Sequence, residues 1–284
     1  MKNLLLFVFR YTPFIPMRII FKLCLSYRGK NIFKSRKLRF SKLFVLLNIG
    51  DLIQYWMYVD GAYEVSFVRY FFNRYQNSKG AFIDVGANLG TYSLNLISCF
   101  DNIYAVEASS NNVAFLKTVA FQNGVSNLKV CHNAIFNKDN ESITLVLSNY
   151  TCGCNSLYDI AERGDTEKVQ TITLDTLCEQ NNISDVRFLK IDVEGAEWVC
   201  VQGGKRMISQ YHPDVWCEFN STSACQAGYS LNDLYNFFIE QGYSAYELIP
   251  KRFWRSSKPC IKPFNIKKLS NDDFLINLYF TIVR

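Results

Sequence analysis

The sequence predicts an α/β protein: an open sheet of seven mostly parallel strands, with an antiparallel last strand and helices on both faces. Two runs and a rhythm carry this reading. Phe82-Ile83-Asp84-Val85-Gly86-Ala87-Asn88-Leu89-Gly90 and Leu189-Lys190-Ile191-Asp192-Val193-Glu194-Gly195-Ala196-Glu197 each pass from an apolar strand through an acidic residue and glycine into a helix. That is how an open α/β sheet presents polar groups at the carboxyl ends of its strands. Between and beyond these runs, apolar strands alternate with helical segments at spacings that call for right-handed parallel crossovers.

In chain order, a mixed aromatic stretch from Asp51 to Tyr75 holds a helix around Glu64–Arg74, and Asn77-Ser78-Lys79-Gly80 is a polar link. Strands are expected at Ala81–Val85, Ile103–Glu107 and Leu128–Asn133, with helices at Gly90–Cys99 and Asn111–Asn123 between them. Ser142–Leu147 and Val169–Leu174 alternate like the arms of a β-hairpin flap, and a short helix follows at Asp175–Gln180. Alternation then resumes with strand Arg187–Val193, helix Ala196–Ser209, strand Asp214–Phe219 and helix Ser230–Gln241. Strands near Tyr243–Ile249 and Phe274–Val283, joined by a loop, are expected to form an antiparallel edge pair. The chain thus divides into a basic, apolar arm (residues 1–50), a helical lead-in (51–79) and a sheet domain (80–284) with its flap at about 142–174.

Composition narrows the function classes. The 284 residues are 49% hydrophobic, ample for a sizeable core. Net charge is +6, yet residues 1–50 hold eleven Lys/Arg and no acid, so a basic arm is joined to a mildly acidic body. Ten cysteines would suit a small disulfide framework, but Cys131, Cys200 and Cys217 lie inside apolar runs, where a thiol packs as a small hydrophobe. This is the usage of a reduced, cytoplasmic chain. Cys152-Gly153-Cys154, with only His132 and His212 to join it, is read as a loop and not a zinc site.

Leu4–Phe9 is too short for a bilayer span or a signal core. From Met17 to Lys30 the polar positions Arg18, Lys22, Ser26 and Lys30 recur every four residues among Ile19, Ile20, Phe21, Leu23 and Leu25. A helix there is strongly apolar with a narrow basic stripe, which suits either an anionic membrane surface, through residues 1–42, or packing on the body. Nucleic acid is not the expected partner. The predicted location is cytoplasmic, peripheral on the cytoplasmic membrane face.

The first strand end carries the cofactor reading. Gly86 and Gly90 allow a tight turn against which a ligand can lie, and Asn88 tolerates an unusual backbone angle. The spacing lacks the middle glycine of a pyrophosphate-binding turn, which argues against a nicotinamide dinucleotide. Seventeen residues after Gly90, Glu107 ends the second strand as an acid suited to both hydroxyls of a ribose. Asp84, Gly86, Gly90 and Glu107 together describe a nucleoside-binding corner. The same arrangement occurs in S-adenosylmethionine-dependent methyltransferases of the Rossmann-like class.

More narrowly, the chain resembles the FkbM methyltransferase family over about residues 80–220, on Asp84 to Ser93, Val106-Glu107, Thr173-Leu174-Asp175-Thr176-Leu177 and Lys190 to Glu197. The resemblance implies a class I methyltransferase fold, S-adenosylmethionine as cofactor and an O-methylated acceptor such as a sugar or polyketide hydroxyl. It also implies that Asp84, Gly86, Asn88 and Gly90 line the methionine and ribose, that Glu107 binds the ribose, and that Asn133-Ala134 borders the adenine.

Methyl transfer is an in-line displacement, so alignment and removal of a hydroxyl proton are the protein's tasks. Asp192 and Lys190, two apart on the fourth strand, fall on one side of it. Glu194 begins the following helix, and Glu218 ends the fifth strand. These four are the catalytic candidates, while Glu197 has the plainer role of complementing a helix dipole. Asp192, Glu218 and Asn220 are hard oxygen donors that could hold Mg²⁺, but the spacing does not select this and no metal is predicted. Asp175 is read as capping its helix or closing the flap. Tyr150, Tyr158, Trp198, Trp216 and Trp254 are candidate walls of a sugar platform. The competing reading is a non-catalytic, membrane-associated scaffold that retains the methyltransferase fold.

Overall fold

A computed structural model describes residues 29–147, 155–156, 165–250, 258–270 and 274–282. The predicted helix at 17–30, the Cys152–Cys154 pair, Tyr150, Tyr158 and Trp254 lie wholly or almost wholly outside them. In chain order, the elements are β1 (Phe33–Lys37), β2 (Phe44–Asn48), α1 (Leu52–Asp60), α2 (Val65–Arg74), β3 (Ala81–Val85), α3 (Thr91–Asn95), β4 (Asn102–Glu107) and α4 (Ser110–Gln122). Then come β5 (Leu128–His132), β6 (Ala134–Ile135), β7 (Ser142–Val146), β8 (Thr166–Ile172), α5 (Leu174–Gln180), β9 (Val186–Ile191), α6 (Glu197–Gln202) and α7 (Lys205–Tyr211). The chain continues with β10 (Asp214–Asn220), α8 (Ser221–Ala227), α9 (Leu231–Glu240), β11 (Ser244–Ile249), β12 (Cys260–Pro263), a 3-10 turn (Ile266–Ser270) and β13 (Leu275–Thr281).

The main sheet has the order β12-β11-β13-β10-β9-β3-β4-β5. Its strands β5, β4, β3, β9 and β10 are parallel, and β13 runs antiparallel to both β10 and β11. The architecture is the expected one, with two corrections. The expected antiparallel pair of β11 and β13 is present, but it is not at the edge, because β12 pairs on the outer side of β11. An eighth strand, β12, closes that side in place of the seven counted from sequence; four residues long, fully exposed and ending at Pro263, it has no apolar alternation to betray it.

Strand β3 is buried at all five positions, as befits the centre of a sheet covered on both faces. Alternation along it sends Ile83 and Val85 to one face, packed with α5, α6, α7 and α9, and Phe82 to the other, packed with α2, α3 and α4. The second face is a layer of aromatic rings: Phe71 of α2 lies 4.6 Å from Phe188 and 5.3 Å from Trp216. Hairpin β1–β2 joins the same layer through Leu38, Val45 and Leu47. Part of the predicted arm and, from the lead-in, chiefly α2 thus help cover one side of the sheet. Helix α1 went unpredicted although Asp51 caps it, its carboxylate accepting from the Gln54 amide at 2.9 Å.

The expected single helix Ala196–Ser209 is two, α6 and α7, broken at Gly203-Gly204. A side chain at Gly203 would sit 2.1 Å from the Phe136 carbonyl, so close backbone approach, not helix continuity, decided those residues. The strands predicted at 142–147 and 169–174 pair antiparallel as β7–β8, but with β6 they form a small sheet of their own instead of an insertion in the main one.

Asp214, opening β10, fastens α2 to the sheet: its carboxylate accepts from Arg74 Nε at 2.9 Å and the Tyr75 hydroxyl at 2.7 Å, and from the Thr281 hydroxyl of β13. Charge-assisted bonds of this kind are worth about 1.5–3 kcal/mol. Asp214→Ala is expected to lower unfolding stability by about 2 kcal/mol in urea titration, whereas Asp185→Ala, which breaks an exposed pair with Arg187, changes it by at most about 1 kcal/mol.

Candidate functional site

The carboxyl ends of β3, β4, β9 and β10 meet in one region. After β3 the chain turns through Gly86, Asn88 and Gly90, with φ of 69°, 51° and 71°. A side chain at Gly86 would lie 1.8 Å from the Asp192 carbonyl, so the β3 and β9 loops close on each other only because that position is glycine. The Gly86 and Ala87 amides donate to the Val106 carbonyl at 3.0 and 3.1 Å, and the Asn88 amide donates to Glu107 Oε2 at 2.6 Å. Glu107 Oε1 accepts from the Ser109 amide at 2.8 Å. The carboxylate therefore organises both loops around it, held by the Asn88 and Ser109 amides with the Ala108 amide beside them. Burial raises its pKa above the ordinary carboxylate value, against the pull of those amides.

Asp84 is placed differently from the expectation that it lines a ligand. It is fully buried beneath the turn, where Oδ2 accepts from the Ser93 amide at 3.1 Å and hydroxyl at 2.5 Å, fixing the start of α3. Its Oδ1 lies 3.6 Å from Lys190 Nζ. Lys190 is itself buried, 3.3 Å from Asp192 Oδ2, and donates to the Gly86 carbonyl at 3.2 Å. Burial alone would lower its pKa, but Asp192 and Asp84 more than reverse this and hold the ammonium charged. Lys190, expected to face the site as a catalytic group, is a knot between strand ends.

Beyond it, one oxygen each of Asp192, Glu194 and Glu218 gather within 4.8 Å of one another. Glu194 reaches the group because its backbone is left-handed, φ 51°, and the Ser156 hydroxyl donates to its carbonyl at 2.9 Å. A Glu218 oxygen is sealed from solvent with no hydrogen-bond partner among the described residues. Burial, then Glu194 and Asp192, push the Glu218 carboxyl well above the usual range. Such a triad is hard-oxygen in character and can hold a divalent cation or a proton. Asn220, considered for a metal with Asp192 and Glu218, instead caps α8, its Oδ1 accepting from the Thr222 and Ser223 amides.

The other candidates have definite places. Glu197 is a buried brace that accepts from the Val193 and Gly195 amides and from the Tyr229 hydroxyl, so it shapes the 193–195 loop. Asp175 does not cap its own helix: Thr173 does, while Asp175 accepts from the Met207 amide at 2.8 Å and caps α7. The Asn133 amide donates to the Glu107 carbonyl and its side chain to the Gln170 carbonyl, and Ala134 opens β6, so this pair joins the β4 corner to the flap. Of the two candidate tryptophans within the described residues, Trp216 is core and the half-buried Trp198 packs on Phe237 at the opposite face.

The lead-in supplies a residue that sequence reasoning missed. Glu64, at φ 52° just before α2, accepts from the buried Tyr92 hydroxyl at 2.7 Å, and Trp216 Nε1 donates to that same hydroxyl at 3.2 Å. The Tyr92 ring lies 5.6 Å from Lys190 Nζ. Read linearly, Glu64 was only an acid at a helix start; its signal lay in the Gly-Thr-Tyr-Ser run that carries its partner. Burial raises the Glu64 pKa from an ordinary 4.5 to about 7, with Asp192 adding to the rise and Tyr92 and Lys190 opposing it.

Among known families, the model of the methyltransferase FkbM domain matches residues 48–245. A methyltransferase FkbM structure from Methylobacillus flagellatus is 17% identical, covers 71% of this chain and 43% of its own, and has a TM-score of 0.45. The chain thus spans less than half the length of that protein. TYW2 of M. jannaschii, solved with AdoMet, is 10% identical at TM-score 0.42, covering 90% of this chain and 89% of its own. A precorrin-6y C5,15-methyltransferase from Geobacter metallireducens is also 10% identical, at TM-score 0.40, covering 77% and 87%. No curated protein matches the chain.

Because the folded pKa of Glu64 lies above its unfolded value, its contribution to stability is complete below about 4.5 and is lost as pH rises through about 7. Glu64→Gln removes that loss. Thermal melts at pH 5 and pH 8 are expected to show the variant gaining on the wild type at the higher pH, by on the order of 1–3 kcal/mol. An equal offset at both pH values would show that Glu64 does not titrate in this range.

Proposed function

The chain belongs to the FkbM methyltransferase family, and on that premise we propose that it transfers the methyl group of S-adenosylmethionine to a hydroxyl oxygen of a glycan, lipid-linked sugar or similar secondary metabolite. The observation that carries this reading is the position of the Asp192, Glu194 and Glu218 carboxylates, at the strand ends beside the Gly86–Gly90 turn and Glu107. Fit of the cofactor is supported by the corner itself: the tight positive-φ turn after β3 and the Glu107 carboxylate at the end of β4 are held together by the Asn88 amide. Gly86, Asn88, Gly90 and Glu107 would hold the nucleoside and its sulfonium chain, with Asn133-Ala134 at the adenine edge. When bound, S-adenosylmethionine supplies an electrophilic methyl group.

The chain's own groups then have two tasks. The first is alignment: Lys190 fixes Asp192 against the β3 turn, so the acceptor side of the site is rigid with respect to the cofactor side. The second concerns the proton. A neutral hydroxyl that becomes an ether loses one proton, and a carboxylate of the triad accepts it. Asp192 is held in place by its pair with Lys190, while burial and the neighbouring Glu194 and Asp192 raise the proton affinity of Glu218. Glu64 is coupled to the same charges through Tyr92 and Lys190.

Calorimetric titration is the direct test. S-adenosylmethionine and its demethylated product are expected to bind saturably, NAD not at all, and Glu107→Ala to weaken binding at least ~10-fold, or ~1.4 kcal/mol. Glu107→Gln, which keeps the side chain's shape, controls for loss of the loop. With a hydroxylated acceptor in hand, Asp192→Asn and Glu218→Gln are expected to reduce kcat ~100-fold or more while leaving cofactor affinity near wild type. Absence of cofactor binding would favour the non-catalytic scaffold instead.

A further inference from the structure

Hairpin β1–β2 has two unlike faces. Its register pairs Phe33 with Asn48, Ser35 with Leu46 and Lys37 with Phe44, so these six side chains share one face of the ribbon. Lys34 pairs with Leu47 and Arg36 with Val45 on the other face, where Val45 and Leu47 are buried in the aromatic layer. On the first face Phe33, Phe44 and Leu46 are 58%, 59% and 56% exposed. Three large apolar side chains so open on one short ribbon form a patch, not the scattered hydrophobes of an ordinary surface. Phe121 is 88% exposed nearby, two residues before Asn123, whose side chain pairs with the Phe44 backbone in both directions.

The charges around the patch have one sign. Lys30, Lys37 and Lys42 are exposed, and the chain holds no acid before Asp51. Lys37 Nζ lies over the Phe44 ring, 5.1 Å from its centre, so a cation borders the patch directly.

We propose that this outer face of the hairpin docks on an anionic phospholipid bilayer, with Phe33, Phe44 and Leu46 entering the headgroup boundary and the surrounding lysines meeting lipid phosphates and carboxylates. Charge complementarity selects this occupant over others. A second copy would bring the same lysines against themselves. Residues 1–28 contain five Lys/Arg and no acid, so they too offer no counter-charge, and their apolar, basic composition suits the same surface. Nucleic acid would match the lysines but not three open apolar side chains at their centre. The inference is independent of the methyl-transfer reading, since it concerns a surface outside the site and is tested without turnover.

The test is flotation of the full-length chain with vesicles of phosphatidylcholine alone or with 30% phosphatidylserine, at low and high salt. Binding is expected with the anionic vesicles, weakened by salt and weak without phosphatidylserine. Phe44→Ser/Leu46→Ser, with unchanged melting temperature, is expected to reduce binding at least ~10-fold. Lys37→Ser/Lys42→Ser, should the first variant melt early, is expected to reduce binding and weaken its salt dependence. Deletion of residues 1–42 is a poorer variant because it removes β1 and the buried Leu38. Full anionic binding by both variants, absence of binding by the parent chain, or a dimer in sedimentation that Phe44→Ser/Leu46→Ser abolishes would each overturn the proposal.

Discussion

The rest of the site depends on one buried ammonium. Lys190 lies in register beside Asp84 of β3 on one side and Trp216 of β10 on the other, in the middle of the sheet. Taking a lysine out of water costs several kcal/mol unless close partners compensate it. Here the compensation comes from Asp84, Asp192 and the Gly86 carbonyl together. No single partner would suffice, so burying Lys190 requires the β3 turn and the β9 end to be brought together. Gly86 permits that approach, and Asp84 extends it to α3 through Ser93. A structural demand, satisfying one charge, thereby fixes the relative position of the two loops between which methyl transfer is proposed to occur.

The electrostatic consequence is a region with more carboxylates than cations. Lys190 faces Asp84 and Asp192, while Glu194, Glu218 and Glu64 crowd the same strand ends. Burial first, and the neighbouring acids second, drive Glu218 and Glu64 upward, while Asp192 and Asp84 keep the buried Lys190 charged. Such a field favours a positively charged ligand group and a proton in transit. It disfavours a pyrophosphate, in agreement with a turn that lacks the second glycine of a dinucleotide site.

The sheet was legible because its central strands are buried on both faces and read as continuous apolar runs ending in an acid: Ala81–Val85 and Val186–Ile191 could be placed to within a residue or two. Strand β12 was not, because an exposed edge strand needs no apolar pattern, and the break between α6 and α7 was not, because it answers to the distant Phe136 carbonyl. In the site, sequence named the residues better than their duties. Asp84, Lys190 and Glu197 stood out as polar groups next to glycine turns, yet each is buried and braces a loop. Burial and partnership are tertiary properties, and strand-end position alone does not separate a brace from a ligand-facing acid. Glu64 shows the converse: its importance arises from Tyr92, across the fold, and nothing adjacent in the chain announces it.

The uneven charge along the chain acquires a physical sense from these placements. The eleven basic residues before position 50 stand apart from a body with 20 basic and 25 acidic residues, whose strand-end carboxylates are partly withdrawn from water. At physiological ionic strength, screening over about 8 Å makes each region answer to its own local charge. In the docking proposed above, an anionic surface would attract the hairpin and repel the acidic body, a torque that would give the molecule one favoured orientation before any apolar side chain entered the bilayer. Because Val45 and Leu47 anchor the hairpin in the same aromatic layer as Phe71 and Trp216, that orientation is passed to the whole sheet. A docking face tethered loosely to the body would fix only proximity; one built into the core also fixes which way the carboxyl ends of the strands point.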